Sequence, residues 1–178
     1  MISIENYLIR PLGISDLHKY FDLVTRNRER LEDFFTGTVS RTQNIESTKD
    51  FLIEISERRA EEKYFPFIVI EETSGNFVAF FDLKNIDWSI PKTELGFYTD
   101  GNYAGKGITS KVLPVFLEHC FTNYKFRKIF LRTHESNKAA QALAAKCGFT
   151  LEGRIRHDYK TTAGELVDLM YFGLLSEQ

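Results

Sequence analysis

The feature that most narrows the possible folds is a strand that runs into a glycine-rich turn and then a helix, between Thr93 and Phe121. Thr93 to Tyr98 has the β-branched and aromatic character of a strand, with Gly96 inside it. A glycine there predicts a bulge or a close backbone approach. The turn reads Ala104-Gly105-Lys106-Gly107-Ile108-Thr109, and Ile108, Val112, Val115, Phe116 and Cys120 follow at helical spacing. Pro114 removes one ladder hydrogen bond and is expected to kink this helix. A helix N-terminus presents N–H groups without internal partners and the positive end of the helix dipole. Glycines let that backbone close on a phosphate, and Lys106 adds a positive charge. Spacing alone leaves two readings open, an anion cradle or an ordinary strand-to-helix turn. The turn is not a Walker loop, because no Lys-Ser/Thr closes it. Nor is it the dinucleotide fingerprint, because Ser110 stands where the third glycine belongs.

The remaining chain predicts a strand at Tyr7-Leu8-Ile9, stopped at Pro11. A helix capped by Ser15 carries Leu17, Tyr20, Phe21 and Val24, and a second starts at Ser47 and Asp50 and carries Phe51, Ile55 and Arg58. Strands are expected at Phe65 to Ile70, Phe77 to Phe81 and Lys128 to Arg132. A helix capped by Ser136 ends at Gly148, and strands at Phe149 to His157 and Leu166 to Leu174 close the chain. The order β, α, α, β, β, β, α, β, α, β, β predicts an α/β fold. It is a mixed, mostly antiparallel sheet with helices on both faces, in one domain over residues 1–178.

Composition excludes several classes. A net charge of −2 argues against a general nucleic-acid or membrane-surface binder, which needs a basic excess. The N-terminus has neither a basic nor an apolar signal region, and no apolar run approaches a membrane span; the cysteines, read as free thiols, point to a reducing, cytoplasmic compartment. Cys120 and Cys147 read as free thiols. Neither they nor His18, His119, His134 and His157 have metal-ligand spacing, so no metal is expected. Lys125-Phe126-Arg127-Lys128 with Arg132 reads as a solvated strand edge rather than an RNA contact. A monomer and a homodimer both remain open.

The stretch Glu94-Leu95-Gly96-Phe97-Tyr98-Thr99-Asp100, followed by Tyr103-Ala104-Gly105-Lys106-Gly107-Ile108, resembles the coenzyme-A motif of the GNAT superfamily. Arg132-Thr133-His134-Glu135-Ser136-Asn137 and Lys146-Cys147-Gly148-Phe149-Thr150-Leu151-Glu152-Gly153 resemble its second motif. Leu8-Ile9-Arg10-Pro11-Leu12 and Val167-Asp168-Leu169-Met170-Tyr171 resemble the branch of ribosomal-protein alanine N-acetyltransferases. The resemblance implies an N-acetyltransferase that uses acetyl-coenzyme A. The backbone from Gly105 to Thr109 would hold the pyrophosphate, with Gly107 the central glycine. Phe97, Tyr98 and Thr99 would pair with the pantetheine arm, a bulge at Gly96 would splay two strands, and Asn137 would reach the cofactor. Ala104 and Thr109 depart from the family's usual residues without removing a backbone donor. Ala140 stands where the branch often has a serine that protonates the leaving thiolate.

Direct acetyl transfer to an amine needs a proton acceptor, an oxyanion donor and help for the thiolate. It needs no enzyme nucleophile, so neither cysteine is assigned a catalytic role. The backbone N–H of Phe97 is the expected oxyanion donor and Glu94 the candidate base. Glu94 reads more readily as a carboxylate that only orders the sheet or attracts a cationic substrate. His134 is an alternative base. Tyr103 and Asn137 are candidates at the sulfur, although an amide can only hydrogen-bond it. The acceptor is expected to be a protein N-terminus, a polyamine, an amino sugar or an antibiotic. Thr25 to Glu46, with Glu29, Glu32, Asp33, Phe34 and Phe35, is expected to shape its site. Two other readings are a non-catalytic coenzyme-A sensor, suggested by Ala140, and a nucleotide-binding protein that uses the same turn.

Overall fold

The β-branched and aromatic runs join into one eight-stranded sheet in the computed structural model, whose described residues are 1–176. β1 (Ile2–Ile4) and β2 (Tyr7–Pro11) precede four helices: α1 (Leu17–Arg26), α2 (Arg28–Leu31), α3 (Thr36–Arg41) and α4 (Ile45–Ala60). A meander follows, of β3 (Phe65–Glu71), β4 (Asn76–Asp87) and β5 (Lys92–Thr99). Then come α5 (Ile108–Asn123), β6 (Lys128–His134), α6 (Lys138–Lys146), β7 (Thr150–Lys160) and β8 (Leu166–Leu175). The sheet order is β1-β2-β3-β4-β5-β6-β8-β7, and β5–β6 is its parallel pair; the other neighbours are antiparallel.

Alternation sends neighbouring strand residues to opposite faces, and both faces are covered. On one face Tyr20 and Leu23 of α1 and Phe51 and Leu52 of α4 pack with Ile68, Phe80 and Tyr98. On the other, Val112, Leu113 and Phe116 of α5 and Ala144 of α6 pack with Val69, Phe81 and Leu95. Burial on both sides explains why Phe77 to Phe81 reads as a continuous apolar run. The expected mixed sheet with helices on both faces is therefore present.

Local details differ from the sequence reading. α1 starts after a short 3₁₀ turn, Ile14–Asp16, and Asp16 rather than Ser15 organises it. The Asp16 carboxylate accepts the Gly13 N–H at 3.0 Å and takes Arg10 in two bonds of 2.7 Å. Such charge-assisted bonds are stronger than a hydroxyl cap. α4 starts earlier than expected, at a box in which Asn44 Oδ1 accepts the Ser47 N–H at 2.9 Å and Ser47 Oγ accepts the Asn44 N–H at 3.1 Å. α6 is capped by Asn137, not Ser136. α5 runs unbroken through Pro114, held by Val112, Leu113, Phe116 and Leu117 in the core.

β5 carries no bulge at Gly96. Its register with β4 is continuous there, Asp82 facing Gly96, and shifts instead between Lys84 and Asp87. The close approach is real, and a side chain makes it: Asp82 Oδ1 lies 2.2 Å from where a Cβ on Gly96 would stand. The opening comes from β6. β5 and β6 pair from Lys92↔Lys128 to Glu94↔Phe130, and no further pairing follows. Beyond Glu94 the β6-facing backbone of β5 has no strand partner among the described residues.

Candidate functional site

The turn after β5 is held from beneath. Asp100 is buried; its Oδ2 takes Arg26 Nε at 2.8 Å, and its Oδ1 takes Asn27 Nδ2 at 3.1 Å and the Asn102 N–H at 3.2 Å. Asn27 Oδ1 accepts the Gly101 N–H at 2.7 Å, and Arg30 caps the Thr99 carbonyl at 3.0 Å. Burial pushes the Asp100 carboxyl up, but Arg26, Asn27 and Asn102 together outweigh it and hold it below its usual range. Thr109, a departure from the family's usual small residue, hydrogen-bonds Thr99 hydroxyl to hydroxyl at 2.5 Å, so it ties the first turn of α5 to the end of β5.

Above this base, Gly105 (φ +74°) and Gly107 (φ +75°) are both left-handed, and Gly107 is the N-cap of α5. The N–H groups from Gly105 to Ser110 have no protein acceptor among the described residues. They form a concave row of donors at a helix N-terminus, the arrangement that suits a phosphate. The row opens into a groove of about 510 Å³ lined by Phe97, Tyr98, Thr99, Ala104, Gly105, Gly107, Ile108, Thr109 and Asn137. Nine of the ten cofactor-side residues expected from sequence thus share one surface. Lys106 is the exception: its ammonium lies 5.1 Å from the centre of the Tyr103 ring, beside a separate depression with Arg26 and Glu71.

A second, smaller cavity of about 120 Å³ meets the groove at Phe34, Phe35, Phe97, Asn137 and Ala140. It lies over the polar part of β4, β5 and β6, where Lys84, Glu94 and Arg132 line it with Tyr159. Glu94 is buried, and its Oε2 takes Asn85 Nδ2 at 2.6 Å and Arg132 Nη2 at 2.8 Å. Arg132 also donates to Asp158 at 2.5 Å. Lys84 lies 3.9 Å from Glu94 and 4.0 Å from Asp82. Asp82, then Glu94, hold Lys84 in its charged form against burial, which pulls the other way. Tyr159 bonds the hydroxyl and the N–H of Thr36, so the start of α3 is fastened over this cavity.

The structure corrects several assignments. The Tyr103 hydroxyl faces away from the groove, accepting from Asn76 at 3.0 Å and donating to Glu71 at 3.2 Å. It is no proton source for sulfur. His134 does line the cavity, with its Nδ1 2.6 Å from Ser136 Oγ and 3.2 Å from the Ser136 nitrogen. Phe34 and Phe35 line both cavities, whereas Glu29, Glu32 and Asp33 line neither. Arg132 is part of the site rather than a solvated edge. Asp82, Lys84, Asp158 and Tyr159 were not singled out in the sequence. The signal for the first two was available: charges at Asp82 and Lys84 interrupt an apolar strand at period two, so both face one side with Glu94 opposite.

Asn137 Oδ1 caps α6 by accepting the Ala140 N–H at 3.1 Å, which leaves its Nδ2 end to the junction. Asn137→Ala is expected to destabilise the fold by about 1 kcal/mol through the lost cap. Asn137→Asp keeps the cap and loses the donor, so thermal melts of the two variants against their ligand affinities separate the two duties.

The profile of the Acetyltransferase (GNAT) domain family matches residues 6–150. A spermidine N(1)-acetyltransferase of Escherichia coli K12 is 24% identical over 160 residues, covering 89% of this chain and 81% of its own. Among solved structures, a ribosomal-protein-alanine acetyltransferase from Vibrio fischeri superposes with a TM-score of 0.90 at 20% identity, over 99% of this chain and 97% of its own. A RimL ribosomal-protein α-N-acetyltransferase in complex with coenzyme A superposes with a TM-score of 0.87 at 17% identity, over 96% and 94%. With a fold and a donor-lined turn of this kind, and a family profile spanning most of its length, the chain belongs to the GNAT acetyltransferase family.

Proposed function

We propose that the protein moves an acetyl group from acetyl-coenzyme A directly onto a primary amine. The amine is a protein N-terminus, such as that of a ribosomal protein, or a small amine. The observation that carries this reading is the meeting of two cavities at Phe97, Asn137 and Ala140, one ending in a row of unpartnered N–H donors and the other in a polar floor. The first fits a pyrophosphate. The open edge of β5 from Phe97 to Thr99 fits an extended amide-bearing arm, because its backbone groups can pair with it as a strand would. The Phe97 N–H serves the developing oxyanion and Asn137 Nδ2 supports the sulfur. Glu94, tied to Arg132 and Asn85, sets the polarity of the amine site. Phe34 and Phe35 shield the junction from water.

Calorimetry is expected to give saturable acetyl-coenzyme A binding, and ATP alone is expected to compete poorly. A titration with no acetyl-coenzyme A heat, or with equal ATP binding, contradicts the reading. Comparing acetylated products in lysates with and without the gene identifies the acceptor. Ala140 favours one second reading, a coenzyme-A-binding sensor, because the side chain at the junction has no proton to give a thiolate. Turnover of any amine at useful rates excludes it.

A further inference from the structure

We propose that Asp82, on β4, accepts the proton that the incoming ammonium must lose, an assignment that rests on the amine-acetylating reading above. Three carboxylates stand near the polar floor, Asp82, Glu94 and Asp158, and they differ in what their oxygens already hold; Asp158 Oδ2 takes Arg132. Glu94 Oε2 carries both Asn85 and Arg132. Asp82 Oδ2 accepts the Tyr64 hydroxyl at 2.6 Å, but its Oδ1 has no hydrogen-bond partner among the described residues, although the side chain is only 8% exposed. Burying an acceptor without a donor is costly, so such an oxygen is a place where a ligand's donor is expected.

Its position fits that role. Oδ1 fills the notch left by the missing side chain of Gly96, and Gly96 lines the amine-side cavity immediately before Phe97. The proton acceptor on β4 therefore lies against Gly96, one step of β5 before the oxyanion donor at Phe97 and just behind the residues that line the cavity. Lys84 Nζ occupies the same notch, 3.1 Å from the Cβ position of Gly96, but at 4.0 Å from Oδ1 it makes no hydrogen bond. The charged and titratable groups around Asp82 are Tyr64 before β3, Tyr20 of α1, Lys84 of β4, and Glu94 and Tyr98 of β5. Arg58 of α4 stacks 5.0 Å from the Tyr64 ring centre, and Arg132 of β6 lies beyond Glu94. Lys84 and Arg132 are outnumbered by Asp82, Glu94 and Asp158, so an entering ammonium is drawn toward the carboxylate oxygen that lacks a donor, Asp82 Oδ1.

The proton count closes. The ammonium gives one proton to Asp82 Oδ1. The neutral amine's lone pair then forms the C–N bond to the acetyl carbon, and the C–S bond breaks with its electrons on sulfur. The second proton released from nitrogen neutralises the thiolate, and Asp82 returns its own to solvent. The products are the acetamide, the free thiol of coenzyme A and one proton.

The test compares wild type, Asp82→Asn and Glu94→Gln with an amine that the wild type acetylates. It reads kcat and KM across pH 6 to 10, acetyl-coenzyme A affinity and thermal melting. Asp82→Asn still accepts the Tyr64 hydroxyl. It is expected to lower kcat about 10²- to 10³-fold near neutral pH, with acetyl-coenzyme A affinity within about twofold of wild type. The deficit shrinks as pH rises toward the amine's own pKa, because the amine then arrives neutral. An unchanged kcat, a loss equal at every pH, or a pH-dependent deficit in Glu94→Gln alone overturns the assignment. If Asp82→Asn does not fold, Tyr64→Phe serves: it removes the hydrogen bond that positions the carboxylate and is expected to lower kcat about tenfold near neutral pH, with acetyl-coenzyme A affinity within about twofold of wild type. An unchanged kcat in Tyr64→Phe counts against Asp82. A wild type that binds acetyl-coenzyme A but acetylates no amine in a broad panel overturns the function itself, an outcome distinct from an active wild type with an unaffected Asp82→Asn.

Discussion

Gly107→Val is expected to weaken acetyl-coenzyme A binding by about 10²- to 10⁴-fold while leaving the rest of the fold in place. Gly107 sits at φ +75° as the N-cap of α5, a conformation that costs an L-residue about 1–2 kcal/mol and a β-branched one more. Open space surrounds its Cβ position, so packing does not resist the substitution. The strain is relieved by turning the peptide planes on either side, which swings N–H groups out of the donor row. Hydrogen bonds to a charged group contribute about 1.5–3 kcal/mol each, so misaligning two removes about 3–6 kcal/mol of binding. Gly107→Asn should be far milder, since asparagine tolerates the left-handed region. Calorimetry on both variants checks this, and Gly107→Val binding within threefold of wild type contradicts it.

Asp100→Ala is expected to destabilise the protein by about 3–5 kcal/mol, because it leaves Arg26 and Asn27 facing an empty site. For a chain of this length that corresponds to a melting point lower by roughly 6–20 °C. The variant should also lose acetyl-coenzyme A affinity, since the same residue anchors the chain between β5 and the donor row. Asp100 is held below the ordinary carboxylate range when folded. Its contribution is therefore fully present above the unfolded carboxylate value, about pH 4, and disappears as pH falls through the folded one. Wild type and Asp100→Asn should converge in stability on acidification, and a gap that stays constant down to pH 3 contradicts the linkage.

Much of this architecture was legible along the chain. The strands of the meander and the closing hairpin were recognisable from alternation and β-branched content, and α5 from its stripe, because those patterns record which side of an element is buried. The short elements were not. β1 spans three residues and α2 four, too few to show a period, and they exist through contacts with β2 and with Asn27. Caps were misplaced by one to three residues because Ser15, Ser47 and Ser136 compete with nearby Asp16, Asn44 and Asn137, and which side chain meets a free N–H depends on where the backbone bends.

The site divides along the same line. The sequence by itself determined the row of donors in the Gly105-Lys106-Gly107 turn between strand and helix, because such a row is made by consecutive backbone N–H groups and so is written in consecutive residues. The direction of the Lys106 side chain, the cause of the opening beside Gly96 and the amine-side floor were decided only by tertiary structure. Asp82, Glu94, Arg132 and Asp158 come from four different strands, and their meeting depends on register and on where β5 and β6 part. Gly96 joins the two levels: its sequence position announced a close approach, and the register of β4 alone determined that the approaching atom is a carboxylate oxygen.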